Sequence, residues 1–425
     1  MQKMILPPSA PAALSSPQRH CHLLLLFYLP NAAVTLETIC KVNSVDDSTA
    51  RQDIAEVAAK IQHYHRLVLR QEASGHYGLI GAELDQRLCL LHWLRRALRL
   101  VPDFVQQQFS PALKQHLKRM QTEKALYDEH NLQALVQHCA LGLSRDFSSR
   151  DRQFLQLFIQ HSLCRRASTD FTDSQRSWLN GRAEHQLAEE IVRHWQKRCH
   201  PAPDASEVWL FALLLSQLHA PVTTEIRYDY ERELLAGVRE MIAHFQALSA
   251  NRFCNEQGLC DRLYTHLAQA LERCLFGIRI DNSLTEEVPR LYPKLLRTTQ
   301  AAVKAFEQRY NLTFSPEELG LIAILFGAWL MQENVLQEKQ ILLLTGKDAA
   351  LEKEVEQQLR ELTLLPLNIK YLDVAEYQSN SAPKGVALVI TPYATPLPLY
   401  SPPLIHAELP LQPHQQQRIR LLLES

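Results

Sequence analysis

A phrase written twice constrains this chain more than any other feature. Arg193 to Leu215 reads RHWQKRCHPAPDASEVWLFALLL, and Lys304 to Phe326, 111 residues later, reads KAFEQRYNLTFSPEELGLIAILF. In register, Trp195 falls on Phe306, Arg198 on Arg309, Glu207 on Glu318, Phe211 on Ile322 and Ala212 on Ala323. Each copy joins two apolar helical stretches through a polar turn that carries proline, a residue that breaks helices. Upstream, His161 in FIQHSLCRR precedes His266 in YTHLAQALER by 105 residues. The repeat therefore spans a whole helical domain, because self-similarity at a fixed period marks one folding unit copied.

A chain of 425 residues exceeds what one hydrophobic core holds, so three or more domains are expected. With 46% hydrophobic residues it should be folded almost throughout, and a formal net charge of -1 asks for no nucleic acid as partner. The nine cysteines are scattered, odd in number and without a CxxC pair, which reads as reduced thiols in the cytosol. The run His22 to Leu29 (HLLLLFYL) has the look of a signal-peptide core. It is short and a second helical pattern follows Pro30, so it reads as the buried first helix of a domain. No stretch reaches the roughly 18 apolar residues that a membrane helix needs. A cytoplasmic protein with no membrane partner is expected.

Residues 1–16, ending in PPSAPAALSS, read as a disordered tail. Over 17–83 the pattern predicts helices at Gln18 to Leu29, at Thr35 to Val42 with Thr35 as cap, and at Ser48 to Tyr64 with Ile54, Val57, Ala58 and Ile61 buried. Leu67 to Gln71 and Tyr77 to Ile80 then read as strands joined by a turn containing Ala73-Ser74-Gly75. That order is the order of a winged helix-turn-helix, whose third helix enters the major groove. A three-helix bundle that never meets DNA has the same periodicity. Charge does not decide, since residues 17–146 hold 15 Lys or Arg against 13 Asp or Glu. The third helix opens with Asp46 and Asp47, which repel phosphates, and offers Ser48, Thr49, Arg51 and Gln52 as DNA-binding candidates. Residues 84–126 carry Trp93, Arg95, Arg96, Arg99 and a basic run from Lys114 to Arg119; they read equally as a second helix-turn-helix-like segment or as a solvated basic face.

The repeat copies, taken as 127–231 and 232–337, contain no clustered carboxylates, no glycine-rich phosphate loop and no nucleophile-base-acid spacing. No catalytic residue, no enzyme activity and no cofactor are therefore expected. Histidine remains as candidate chemistry: neutral imidazole can attack a phosphoryl donor and hold the group as a labile phosphoramidate. Most lone histidines on amphipathic helices are structural all the same. His161, Cys164, Cys199 and His200 are of zinc-ligand type, but about 35 intervening residues match no recognised ligand spacing. No metal is expected.

Residues 338–425 have a different texture. Leu342 to Thr345, Leu367 to Leu372 and Val386 to Ile390 read as strands, with Ala349 to Leu362 as an amphipathic helix. Strand, helix, strand order predicts a small parallel α/β sheet. Gly346-Lys347 is not a P-loop, because the earlier glycine of that motif is missing.

The second copy carries a resemblance. THLAQALERCLFGIRIDNSLTEEVPRLYPKLL followed by SPEELGLIAILFGAWL is similar to the phosphotransferase-system regulation domain (PRD), found in pairs in bacterial antiterminators and transcription activators. His266 and Arg273 match the family's histidine and arginine, Asn282 and Leu284 match around Ser283, Tyr292-Pro293 match, and Glu318 to Gly320 match. The family's second histidine falls on Leu325. In the first copy His161 holds the histidine's place, Ser168 the arginine's and Leu214 the second histidine's. The resemblance implies that such histidines accept phosphate from sugar-uptake phosphocarrier proteins, which leaves His266 and His161 as phosphoacceptor candidates.

It extends in both directions. VNSVDDSTARQDI and GHYGLIGAELDQR resemble the DNA-binding half of the activator branch, with Thr49, Asp53 and Ile54 in the first phrase and Gly78, Leu79 and Gly81 in a wing. The last unit resembles an enzyme IIB-like domain whose phosphate acceptor is a cysteine; no cysteine exists here beyond Cys274. The resemblance thus implies a mainly α, multidomain protein: winged helix-turn-helix, two all-helical PRD repeats and a small C-terminal α/β domain. It implies a homodimeric transcriptional regulator with thinned phosphorylation sites, with DNA and phosphocarrier proteins as partners. Two rivals stand beside it, an interaction module that has lost DNA and phosphate, and an RNA-binding antiterminator.

Overall fold

The computed structural model describes residues 13–424 apart from 31, 219, 281–283, 333–337, 365 and 397–400. The tail expected over 1–16 and the matches at Asn282 and Ser283 thus lie largely or wholly outside the described residues. The chain divides into two compact units: Met1–His219 with Leu275–Arg279, and Ala220–Cys274 with Ile280–Ser425. It is mainly helical, with a small α/β region at its C-terminal end. Among the described residues no helix is long and apolar enough to cross a membrane.

In the first unit α1 (Ser16–Phe27), α2 (Leu36–Asn43) and α3 (Asp47–His65) precede a hairpin of β1 (Val68–Gln71) and β2 (Tyr77–Ile80). The first helix starts two residues before the expected Gln18, because Gln18 Oε1 accepts the backbone N–H of Ser15 and closes the helix start there. Its apolar run is core: Leu23, Leu24 and Leu25 have no exposed surface. Thr35 caps α2 by accepting the Thr38 N–H at 3.2 Å. Asp46 caps α3 by accepting the Thr49 N–H at 2.7 Å, which holds its carboxyl below the usual value. Asp53, 2% exposed, ties α3 to α1 through Arg19, at 2.6 and 2.9 Å. The hairpin pairs Leu69 with Leu79, and Gly75 takes the left-handed φ of +84° that its turn requires.

The connector holds α4 (Glu83–Leu100), α5 (Pro102–Phe104), a π-helical turn (Val105–Phe109) and α6 (Ser110–Arg119). Its basic residues are not one solvated face. Arg95 lies over the Phe154 ring and Arg96 over Trp93, both half-buried, while Arg99 is exposed.

The first repeat comprises α7 (Glu129–Leu143), α8 (Ser149–Cys164), α9 (Asp173–Leu179), α10 (Ala183–Arg198) and α11 (Glu207–Gln217). The second repeat follows in the same order with α12 (Asp229–Ser249), α13 (Glu256–Phe276), α14 (Leu284–Leu291), α15 (Pro293–Tyr310) and α16 (Pro316–Gln332), of which α12, α13 and α16 are longer than their counterparts. The expected boundary at 231/232 falls inside α12. Glu231 accepts the backbone N–H groups of Arg227 and Tyr228, so the helix begins before it. Trp195 meets Phe211 edge-on in the first repeat; Phe245 stacks on Phe326 at 4.0 Å in the second.

The α/β region runs β3 (Lys339–Thr345), α17 (Ala349–Arg360), β4 (Leu367–Asp373), α18 (Val374–Asn380), β5 (Leu388–Thr391), β6 (Leu404–His406) and α19 (Pro413–Glu424). The strands form one parallel sheet in the order β4-β3-β5-β6. Alternation along β3 sends Ile341 and Leu343 into a core with Val355, Leu359 and Ile419, and Leu342 and Leu344 into another with Tyr377. Helices therefore cover both faces, as parallel sheets require.

Candidate histidine site

In the second repeat the C-terminal half of α13 and the first turn of α16 bring three side chains together. Arg273, two turns beyond His266 on α13, donates to Glu318 through Nε at 2.5 Å and Nη2 at 3.1 Å. Nε2 of His266 stands 3.2 Å from Glu318 Oε2, within ion-pair range but out of line for a hydrogen bond. The His266 side chain is 16% exposed and Glu318 only 4%. Burial pushes the Glu318 carboxyl up, but His266 and Arg273 outweigh it and leave the group below the usual carboxylate value. A buried carboxylate within ion-pair range of one ring nitrogen favours a proton there by its charge, which leaves the lone pair on the other nitrogen.

The first repeat keeps the carboxylate and changes its partners. Ser168, in the arginine's place, bonds Asp204 at 3.1 Å. Glu207 is held by an arginine from the connector: Arg87 of α4 donates through Nη2 to Glu207 Oε1, through Nη1 to Ser162 at 2.9 Å and through Nε to Glu83 at 2.8 Å. The second oxygen of Glu207 has no partner. Burial raises this carboxyl above its usual value, the opposite of Glu318, although Arg87 pulls it down.

His161 lies 2% exposed, with the Tyr28 ring edge-on at 5.8 Å and no partner for Nδ1. Burial, and then Arg87 and Arg165, drive its pKa well below the usual value, so it is neutral. The candidate His161 is thus sealed inside its unit, whereas His266 has an open edge. Where the family's second histidines would stand, Leu214 is buried and Leu325 half-buried.

Of the residues singled out on α3, Ser48, Arg51 and Gln52 are exposed on one face, and Gln52 bonds Glu56 at 3.0 Å. Thr49 is half-buried, its amide engaged by the Asp46 cap. In the C-terminal sheet the strand order reverses between β3 and β5, the crevice where open α/β sheets bind ligands. Here Glu352 and Tyr393 fill it. Glu352 Oε1 accepts the Gly346 N–H at 2.6 Å and the Tyr393 hydroxyl at 2.8 Å.

Residues 239–329, which enclose His266, Arg273 and Glu318, match the PRD domain family. Residues 339–423 match the C-terminal domain of the stationary phase-inducible protein CsiE. The chain is 49% identical over 418 residues to the stationary phase-inducible protein CsiE of Escherichia coli (strain K12), covering 98% of each. The chain belongs to the CsiE family. The PRD histidine group and the closed C-terminal crevice are therefore parts of one CsiE-type chain, and its architecture is that of a regulatory protein.

Sequence reading had matched Glu318 without giving it a task, and it missed Arg87 altogether. The signal for Glu318 was its register with Glu207; no local signal marks Arg87, which lies 120 positions from its partner.

Proposed function

We propose that this CsiE-family chain is a PRD-type transcriptional regulator, not an enzyme, whose second repeat carries its one phosphate-accepting histidine. The observation that carries this reading is the His266–Glu318–Arg273 group, set against the sealed His161. The Glu318 charge beside Nε2 favours the proton on that nitrogen, and the other ring nitrogen attacks the phosphoryl group of a phosphocarrier protein. A new P–N bond forms as the donor's P–N bond breaks, the donor imidazole leaves with that electron pair, and Glu318 offsets the positive charge gained by the His266 ring.

For DNA the support is the order α1, α2, α3 and hairpin, together with the exposed row Ser48, Arg51 and Gln52. We read these as a winged helix-turn-helix with α3 in the major groove. The C-terminal sheet we read as an enzyme IIB-like unit without its chemistry, having no cysteine after Cys274 and its crevice filled by Glu352. A homodimer rests on the resemblance alone, and sedimentation of the full chain reads it; a cytoplasmic location rests on the scattered, unpaired cysteines.

Genome-wide crosslinking of the full chain tests the DNA reading. Discrete promoter peaks that vanish in Arg51→Ala support it; uniform background sinks it. A second reading, an interaction module without DNA, is favoured by exposed Asp46 and Asp47 at the phosphate-facing end of α3, and it predicts that background.

A further inference from the structure

A groove of about 750 Å³ opens in the first unit, walled by the π-helical turn, α6, α7 and α8. That volume falls in the range of small-molecule sites. Its floor is apolar, made by the buried side chains of Val105, Leu132, Val136 and Leu157. Its walls are amides: Gln133 and Gln137 stand one turn apart on α7, Gln153 and Gln156 face them from α8, and Gln106 comes from the π-helical turn. None of these five side-chain amides has a hydrogen-bond partner among the described residues, and Gln106, Gln133 and Gln137 are exposed.

At the floor lies Gln160, 3% exposed. Its Nε2 donates to the Tyr127 carbonyl at 3.2 Å, which fixes the amide's orientation and leaves Oε1 without a partner. The amide thus ties α8 to the segment that precedes α7 and closes the bottom of the groove. The π-helical turn marks the groove, because such an insertion strains the helix ladder and recurs at functional sites. It places Gln106 on the groove.

We infer that this groove binds a neutral, polyhydroxylated small molecule of monosaccharide to disaccharide size. Amides both donate and accept, as hydroxyls do, so a ring of glutamines satisfies hydroxyls in either sense. The apolar floor suits the C–H face of a pyranose or cyclitol ring. Formal charge is confined to Lys114, Glu129 and Arg152, of which the last two are exposed at the rim. No paired cations stand at the floor to hold a phosphate.

Saturation-transfer NMR on the full chain with D-glucose, maltose and myo-inositol as probes tests this. At least one probe should receive saturation, and the double variant Gln153→Ala/Gln156→Ala should weaken its binding about tenfold or more, since two net hydrogen bonds are lost. Both residues are half-buried wall positions, so circular dichroism of the variant should match the parent; Gln133→Ala, an exposed position on the facing helix, gives a second reading should the double variant misfold. Absence of transfer from all three probes overturns the inference. Transfer that persists unchanged in the variants overturns it too, because the probe then binds elsewhere. Preference for glucose 6-phosphate over glucose overturns the assignment of a neutral ligand.

Discussion

Arg87 of α4 reaches 120 positions along the chain to grip Glu207 of α11, with side-chain exposures of 0% and 2%. In the second repeat the equivalent carboxylate, Glu318, is gripped by Arg273 of its own repeat. The carboxylate of the first repeat thus takes its cation from the connector, and the histidine of that repeat is buried. Arg87→Met leaves Glu207 buried without its cation, a loss of about 3–5 kcal/mol. Urea unfolding of the full chain should show a lower midpoint for the first unit, much of it recovered in Arg87→Met/Glu207→Leu. A midpoint unchanged by the single substitution contradicts this account of the pair.

Glu318→Gln keeps the shape of the second repeat's site and removes its charge. Phosphate uptake at His266 should fall about tenfold or more, the scale expected when a group orienting a histidine is lost. Phosphorylation rates from intact-mass measurements check this. An unaltered rate means that Glu318 serves Arg273 alone.

Acid sensitivity should have a contribution from His65. Burial, then His92 and Arg66, lower its pKa from 6.5 to about 3. The unfolded chain takes up this proton as pH falls below about 6.5, while the folded chain does so only near 3. Stability from the neutral ring is therefore complete above pH 6.5 and lost progressively down to about 3. His65→Gln should flatten the fall of thermal midpoint over that window. An identical pH slope in both proteins counts against it.

The crevice of the C-terminal sheet depends on Glu352. Glu352→Ala removes the acceptor of the Gly346 N–H and one partner of the Tyr393 hydroxyl, which keeps Asp348, a loss of about 0.5–1.5 kcal/mol per hydrogen bond. Gly346→Ala attacks the same place sterically, since its Cβ would lie 2.8 Å from the Tyr393 ring. Hydrogen exchange at β3 and β5 should accelerate in both variants. Protection equal to the parent's would show that the Tyr393–Glu352 contact is dispensable.

Much of this fold could be read from local pattern. The duplicated phrase located the helix pairs α10/α11 and α15/α16, the Thr35 cap marked α2, and apolar runs in strand, helix, strand order located β3, β4 and β5. What escaped was either short or distant. β6 is three residues long beside Pro402 and Pro403, too brief for any alternation to register. The π-helical turn reads as ordinary helix, because its extra residue changes hydrogen bonding and leaves composition untouched. His161 and His266 look alike in sequence; their difference is burial, set by Arg87 and Tyr28 arriving from far along the chain.

Incubation of the full chain with phosphoenolpyruvate and the general phosphocarrier proteins, followed by peptide mass analysis, tests the central claim most directly. One acid-labile phosphate should appear on His266, none on His161, and none anywhere in His266→Ala. Phosphate on His161, undiminished phosphate in His266→Ala, or no uptake by the parent chain would contradict it.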